Sequence, residues 1–380
     1  MAAYLYIHIP FCVKKCIYCD FFSLPYHEPA VRRYVDALCR ELSLKKNLAD
    51  TLKTIYIGGG TPTLLPAECF RQIFKCLKEN CSFSSGIEIT VEANPGTVDK
   101  AKIDTLLSLG VNRLSVGVQS FIGNELATLG RIHSSDEALR SIESIKKAGL
   151  RNFSIDLMYG IPGQSMESWR ESLTKAIELS PSHISAYELT PEENTPLYPL
   201  IQSHKITMLN EEPILEMYNY AIDYFAGSGY THYEISNFAR PGFQCLHNLN
   251  YWDRGDYIGA GAGAHSFISG VRSINTKDIQ EYEAKLDSGL IPGIQSTKLT
   301  PEDDIKEFIF LGLRKTGGIS LSKMPVAIGS VPSRELLLDV CRELVESGYT
   351  ELSGDFLRLT RKGIVISNAI IVSLFTKLGL

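Results

Sequence analysis

Alternation of short β-rich runs with helical stretches over the first half of this 380-residue chain predicts an α/β fold built on a parallel sheet. Two further observations support that class. Six runs are apolar and β-branched, as strands covered on both faces should be: Leu5–Ile9, Thr54–Ile57, Ile87–Glu92, Arg113–Val118, Asn152–Leu157 and His183–Leu189. Each is followed by a glycine-rich or polar motif, and βα arrays gather functional residues at the carboxyl ends of their strands. Six βα units in succession fit an open partial barrel or a doubly wound sheet, and periodicity alone does not choose between them.

The elements follow in order. After the first strand, Cys12, Cys16 and Cys19 stand at C-x3-C-x2-C spacing, three soft ligands suited to zinc or an iron–sulfur cluster. A closed zinc site uses four ligands, commonly as two pairs of two-residue spacing, and no partner pair follows. Three thiolates on a four-iron cluster would leave one iron open to an outside ligand. After the second strand comes Gly58-Gly59-Gly60-Thr61-Pro62-Thr63, either an ordinary strand-to-helix turn or a stretch that lets backbone approach a small ligand. Glu92-Ala93-Asn94-Pro95 follows the third strand, Gln119-Ser120-Phe121 the fourth, and Asp156 lies late in the fifth. Glu188 and Thr190 end the sixth. Glu92 and Asp156 are either helix-flanking acids or acceptors for sugar hydroxyls.

Helices are expected near Val31–Leu44, Pro66–Leu77, Asp99–Leu109, Asp136–Ala148 and Met166–Leu179. The fourth shows its ends: Ser134 and Glu137 form a capping box, and Gly149 sits where a helix stops. Cys39, Cys69, Cys76 and Cys341 fall in helical patterns as small apolar residues would. Beyond a helix near Pro213–Ala226 lies Cys245-Leu246-His247-Asn248-Leu249-Asn250-Tyr251-Trp252, then a small-residue run ending at His265. A histidine beside aromatic rings is either a packed, hydrogen-bonded residue or a metal ligand. Helices near Glu302–Leu313 and Arg334–Ser347, with a hairpin turning at Ser353-Gly354-Asp355, suggest a winged-helix-like unit that packs or acts as a lid. The expected organisation is therefore 1–236 for the barrel, 237–300 for a linking segment and 301–380 for a small α+β domain.

Composition narrows the function classes. Hydrophobic residues make up 44% of the chain, enough for a large core. A net charge of −5 and no long basic run argue against nucleic acid as the main partner. The start carries no basic leader with an apolar core, and no apolar run reaches membrane length. Nine cysteines, three of them in one metal-like motif, fit a reducing cytoplasm better than a disulfide framework.

Tyr6-Ile7-His8-Ile9-Pro10-Phe11-Cys12, the cysteine spacing, and Tyr233-Glu234-Ile235-Ser236-Asn237-Phe238 together resemble the radical S-adenosylmethionine (radical SAM) superfamily. Within it they resemble the oxygen-independent coproporphyrinogen III oxidase-like family. The matches run through residue 275. The resemblance implies a parallel (β/α)6 partial barrel and a [4Fe-4S] cluster on Cys12, Cys16 and Cys19. It places S-adenosylmethionine beside Gly59, Gly60 and Thr61, with polar contacts from Glu92, Gln119, Arg131, Asp156 and Thr190. Arg131 suits the methionine carboxylate, which a guanidinium fork meets in two places. Tyr6 and Tyr18 match positions near the cofactor.

Two departures separate relatives. The oxidases carry a fourth cysteine two positions after the third, where this chain has Phe21, and an arm of roughly fifty residues before the cluster motif. The H-N-x-x-Y-W order at His247–Trp252 matches the family's haem chaperone branch. There the histidine implies a haem iron ligand, with His265 a second candidate. The expectation is a cytoplasmic carrier that binds haem and delivers it to an acceptor protein. That acceptor is one that a membrane could hold, although this chain offers no membrane segment. Oxidative decarboxylation of coproporphyrinogen is the alternative.

Overall fold

The computed structural model describes residues 3–46, 51–325 and 334–380. Six parallel strands lie side by side in chain order: β1 (Tyr4–Ile9), β2 (Thr51–Gly59), β3 (Ser82–Ala93), β4 (Arg113–Gln119), β5 (Phe153–Tyr159) and β6 (His183–Glu188). A doubly wound sheet reverses its strand order at a switch point. This order never reverses, so every crossover winds the same way and the sheet curls into a partial barrel.

The strands differ from the expectation in one respect. Their outward residues are apolar, and Ile7, Ile55, Ile57, Ile89, Val116 and Ile155 are buried in the main core. Their inward residues are polar. In register across the sheet, Tyr4 pairs with Thr54 and Thr54 with Glu88; Tyr6 pairs with Tyr56 and Tyr56 with Thr90. Period-two side chains therefore give the sheet a dry face under the helices and a polar face around a cavity.

The covering helices are α1 (Glu28–Leu44), α2 (Ala67–Asn80), α3 (Lys100–Leu109), α4 (Gly123–Thr128), α5 (Ser135–Lys147) and α6 (Met166–Glu178). The α5 capping box forms as the sequence predicts, and Gly149 follows the C-cap at φ 81°. Cys39, Cys69 and Cys76 face the interior of the α1–α2 layer, and all nine cysteines are free thiols.

The stretch expected as a linker is part of the sheet. After α7 (Leu197–Gln202) and α8 (Glu211–Gly227), β7 (Thr231–Glu234) and β8 (Asn237–Ala239) extend one edge, with β8 antiparallel to β6. After α9 (Leu246–Trp252), β9 (Ile258–Ala260) extends the other edge, parallel to β1. Buried Glu41 on α1 anchors this return. Its carboxylate accepts hydrogen bonds from Gly261 N (2.7 Å), Asn275 Nδ2 (2.6 Å) and Tyr282 Oη (2.6 Å), and Lys45 Nζ lies 2.6 Å away.

A small antiparallel sheet, β10 (His265–Ile268), β11 (Val271–Asn275) and β12 (Gly293–Lys298), follows, with α10 (Ile279–Asp287) between its last two strands. The remaining residues build a separate core around Ile305, Ile309, Leu344, Leu357 and Leu374. Its elements include α11 (Pro301–Gly312), α12 (Arg334–Glu346) and the hairpin of β14 (Thr350–Ser353) with β15 (Phe356–Leu359). The two-residue strand β13 (Ile319–Ser320) adds to β15. Backbone bonds from Ile235 N to Arg314 O (2.9 Å) and from Thr316 N to Tyr233 O (3.2 Å) tie this unit to the barrel edge.

Candidate functional site

Every carboxyl-terminal strand end of the barrel contributes to one cavity of about 390 Å³. The loop after β1 brings Cys12, Cys16, Tyr18 and Cys19. Gly59, Gly60 and Thr61 arrive from β2, Glu92 from β3, Gln119 and Arg131 from β4 and its loop, Asp156 from β5 and Thr190 from beyond β6. Residues as far apart in sequence as Cys12 and Glu192 therefore meet on one surface.

The glycines are required by close approach. A Cβ on Gly60 would sit 2.7 Å from the Phe11 carbonyl oxygen, and one on Gly59, at φ 113°, would overlap the His8 ring. Cys12 Sγ lies 3.6 Å from Thr61 Oγ1, whose hydroxyl also accepts from Asn94 Nδ2 at 2.8 Å. Arg131 spans the floor. Nη2 donates to Asn94 Oδ1 (2.7 Å) and the Gly117 carbonyl (2.6 Å), and Nη1 donates to Cys16 Sγ (3.4 Å). Its Nε has no partner, nor has Gln119 Oε1. Gln119 adopts φ 66° at a register break between β4 and β5, which turns the chain into the cavity.

Glu92 occupies the deep wall. Tyr56 Oη donates to its Oε1 (2.8 Å) and Gly59 N to its Oε2 (3.0 Å). Burial pushes its carboxyl up to about 7, against the lowering effect of those two bonds. Asp156 accepts from Ser115 Oγ and Ser154 Oγ, each at 2.8 Å, and burial raises its pKa too. Burial also raises the Cys12 thiol and lifts Cys19 to about 11. A bound cation reverses that preference, because a coordinating thiol loses its proton.

Three predicted residues lie outside the cavity. Tyr6 stands behind it: its hydroxyl donates to His8 Nδ1 (2.9 Å), and His8 Nε2 donates to the Phe22 carbonyl (2.9 Å), fixing the end of the cysteine loop. His265 is exposed on β10, with its backbone carbonyl packed against Gly259. His247 departs furthest from its expected role. It is 1% exposed at the opposite end of the barrel interior, on α9. Nδ1 bonds Thr54 Oγ1 (2.7 Å) and Nε2 bonds Tyr251 Oη (2.9 Å), so in this conformation the ring has no lone pair for an external iron. Burial, with the Arg113 charge nearby, lowers its pKa to about 3, which keeps it neutral.

Comparison with known proteins places this geometry. A match to the Radical SAM superfamily spans residues 6–176, and one to the HemN C-terminal domain spans residues 299–366. The protein named heme chaperone HemW of Bacillus subtilis (strain 168) is 36% identical over 368 residues, covering 96% of this chain and 97% of that one. The chain belongs to the HemW family. The HemW of Escherichia coli (strain K12) is 41% identical over 271 residues, 70% of each chain. Among solved structures, coproporphyrinogen III oxidase (HemN) from Escherichia coli, described as a radical SAM enzyme, is similar at a TM-score of 0.84 and 25% identity. That likeness covers 99% of this chain and 91% of the oxidase.

The residues fit the cluster and S-adenosylmethionine that radical SAM membership implies. The donor set is three thiols backed by hydroxyl and guanidinium donors, and the adjoining wall is backbone that only glycine allows. Gln119 Oε1 and Arg131 Nε supply an acceptor and a donor still open to a polar ligand. Sequence reasoning missed Tyr56 and Asn94 as site residues of this HemW-family chain. Tyr56 lies two positions before Gly58 on the inward face, so strand alternation could have found it. Asn94 joins Thr61 to Arg131 through space, which no local pattern reveals.

Proposed function

We propose that this chain is a haem chaperone: it binds a [4Fe-4S] cluster, S-adenosylmethionine and haem, and passes haem to an acceptor protein. The convergence of all six strand ends on one cavity beside three cysteines is the observation that carries the reading. Cys12, Cys16 and Cys19 would hold the cluster, and Gly59, Gly60, Thr61, Glu92, Gln119, Arg131, Asp156 and Thr190 would contact S-adenosylmethionine. When bound, the cluster supplies one-electron chemistry and an open iron that S-adenosylmethionine can occupy. The chain's own part is placement. Arg131, fixed through Nη2 by Asn94 and Gly117, keeps its positive charge and an open Nε–H for a carboxylate. Glu92 and Asp156 present acceptors to hydroxyls, and Gly59 and Gly60 line the cavity beside them.

Haem needs a seat outside this cavity, which sits at the small end of the range for one ligand. The rim supports one. Val13 (59% exposed) and Ile132 (60%) share a shallow cleft with Lys14, and Phe21 (61%) stands at the cavity mouth with Lys14 and Lys15. A flat apolar ring with anionic propionates matches exposed apolar side chains beside two ammonium groups. Phe21 occupies the place of the oxidases' fourth cysteine, so the departure in sequence is a surface feature here. No helix among the described residues is long and apolar enough to cross a membrane, and we place the protein's work in the cytoplasm. The test is anaerobic: cluster-loaded protein with haem should form a one-to-one complex with a shifted Soret band, while coproporphyrinogen stays unconverted. Turnover of coproporphyrinogen, with no haem complex, would make the chain an oxidase instead.

A further inference from the structure

The H-N-x-x-Y-W segment folds as α9 into the amino-terminal end of the barrel interior, the end opposite the cysteine loop. Glu88 receives its first turn, accepting from Leu246 N and His247 N at 3.1 Å each. Two hydroxyls, Thr54 on β2 and Tyr251 one turn along α9, pin both nitrogens of His247. The pinned ring stacks on Tyr56, with centroids 5.2 Å apart and planes 29° apart. Tyr56 in turn donates to Glu92 Oε1, and Glu92 Oε2 holds Gly59 N in the glycine loop. An unbroken chain of contacts therefore runs from α9 to the cavity wall.

We propose that His247 is a positioning residue for the S-adenosylmethionine site, acting through Tyr56 on Glu92 and the Gly59 turn. The physical logic is that Tyr56 can aim its hydroxyl at Glu92 only if its ring is held. One face of that ring is covered by His247 and another side by Tyr6, at 6.2 Å. Loss of the histidine would let Tyr56 tilt away, leaving a buried carboxylate short of one donor and the loop short of its anchor. The histidine is suited to the task because a neutral imidazole can stack on a ring while bonding hydroxyls on both sides. This inference deepens the reading of the cavity as an S-adenosylmethionine site and rests on it.

The experiment measures S-adenosylmethionine affinity by calorimetry, melting temperature, iron content and the haem Soret band in cluster-loaded protein. The variants are His247→Ala and Thr54→Val. Thr54 is buried away from the cavity lining, and valine keeps its shape while removing the bond to Nδ1. Affinity should fall about tenfold in His247→Ala and about threefold in Thr54→Val, as loss of a buried hydrogen-bonded anchor would give. Iron content and the Soret band should not change. A residue that only stabilises the fold would lower the melting temperature of Thr54→Val and leave affinity alone, which would overturn the proposal. Loss of the Soret band in His247→Ala at unchanged affinity would overturn it in favour of iron ligation. Failure of the unaltered protein to bind S-adenosylmethionine would remove the site reading itself, an outcome separable from either.

Discussion

The two ends of the barrel interior are lined by the same kinds of residue and used in opposite ways. At the amino-terminal end, His247 has both nitrogens bonded, and His183 bonds Ser154 Oγ (2.9 Å) and Tyr233 Oη (2.7 Å). At the carboxyl end, Arg131 Nε and Gln119 Oε1 stay open, Gln119 takes φ 66°, and Gly59 and Gly60 let the loop pack tightly against His8 and Phe11. A buried polar group without a partner costs free energy, so a fold retains such groups where a ligand completes them. The difference teaches that a histidine or carboxylate facing the interior is not by itself a site. What marks the site is open donors and acceptors that line a cavity beside three cysteines; buried Arg113 Nε and Nη1, near His247, lack partners too but do not line that cavity.

The sharpest way to break this contrast is at the open end. Changing Cys12, Cys16 and Cys19 together to Ala should remove essentially all iron and sulfide from reconstituted protein, whereas changing Cys39 and Cys69 should not. Next in size, Glu92→Ala and Arg131→Ala should each weaken S-adenosylmethionine binding by about ten- to a hundredfold, the loss of one charge-assisted hydrogen bond. Calorimetry on protein of unchanged iron content would show it, and unchanged affinity in both would return these residues to structural roles. Gly60→Ala should cost about 1–3 kcal/mol of stability, because its Cβ would press on the Phe11 carbonyl, and denaturant melts measure that.

A smaller effect concerns pH. Glu92 is lifted to about 7 from 4.5 by burial and secondarily by Asp156, against Tyr56, Gly59 N and Arg113. Between those values the folded state keeps a proton that the unfolded state has lost, so stability from this group is present at low pH and fades as pH climbs through 7. Ligand binding should run the other way. The ionised carboxylate is the better hydroxyl acceptor, so S-adenosylmethionine affinity should rise from pH 6 to 8 and flatten in Glu92→Gln. Smallest of all, Ser134→Ala on α5 should lower stability by about 1 kcal/mol through its lost cap and leave the cavity's affinity untouched.

Much of the open end was legible in sequence because a parallel βα array sends every strand's carboxyl end to the same rim. Cys12, Thr61, Glu92 and Asp156 could be grouped without knowing a distance, whereas Arg131, beyond α4 (Gly123–Thr128), was reached only through the family resemblance. The closed end was not legible. The order of residues in H-N-x-x-Y-W names a histidine but does not say that Thr54, nearly two hundred positions earlier, already bonds it. The edges of the sheet were missed for another reason. β8 and β9 are three residues each, too short to register as alternating or apolar runs, so the stretch that extends the sheet at both edges read as a linker. The polar inner face went unseen because alternation was masked by aromatic and threonine residues that count as good strand formers.

One measurement bears most directly on the claim that the open end holds a cluster and S-adenosylmethionine together. The paramagnetic resonance spectrum of the reduced, reconstituted protein should be that of a four-iron cluster and should change on adding S-adenosylmethionine, as expected when a ligand reaches the iron that three cysteines leave open. A four-iron signal that the ligand leaves unaltered, or tight zinc binding with no sulfide, would contradict the account.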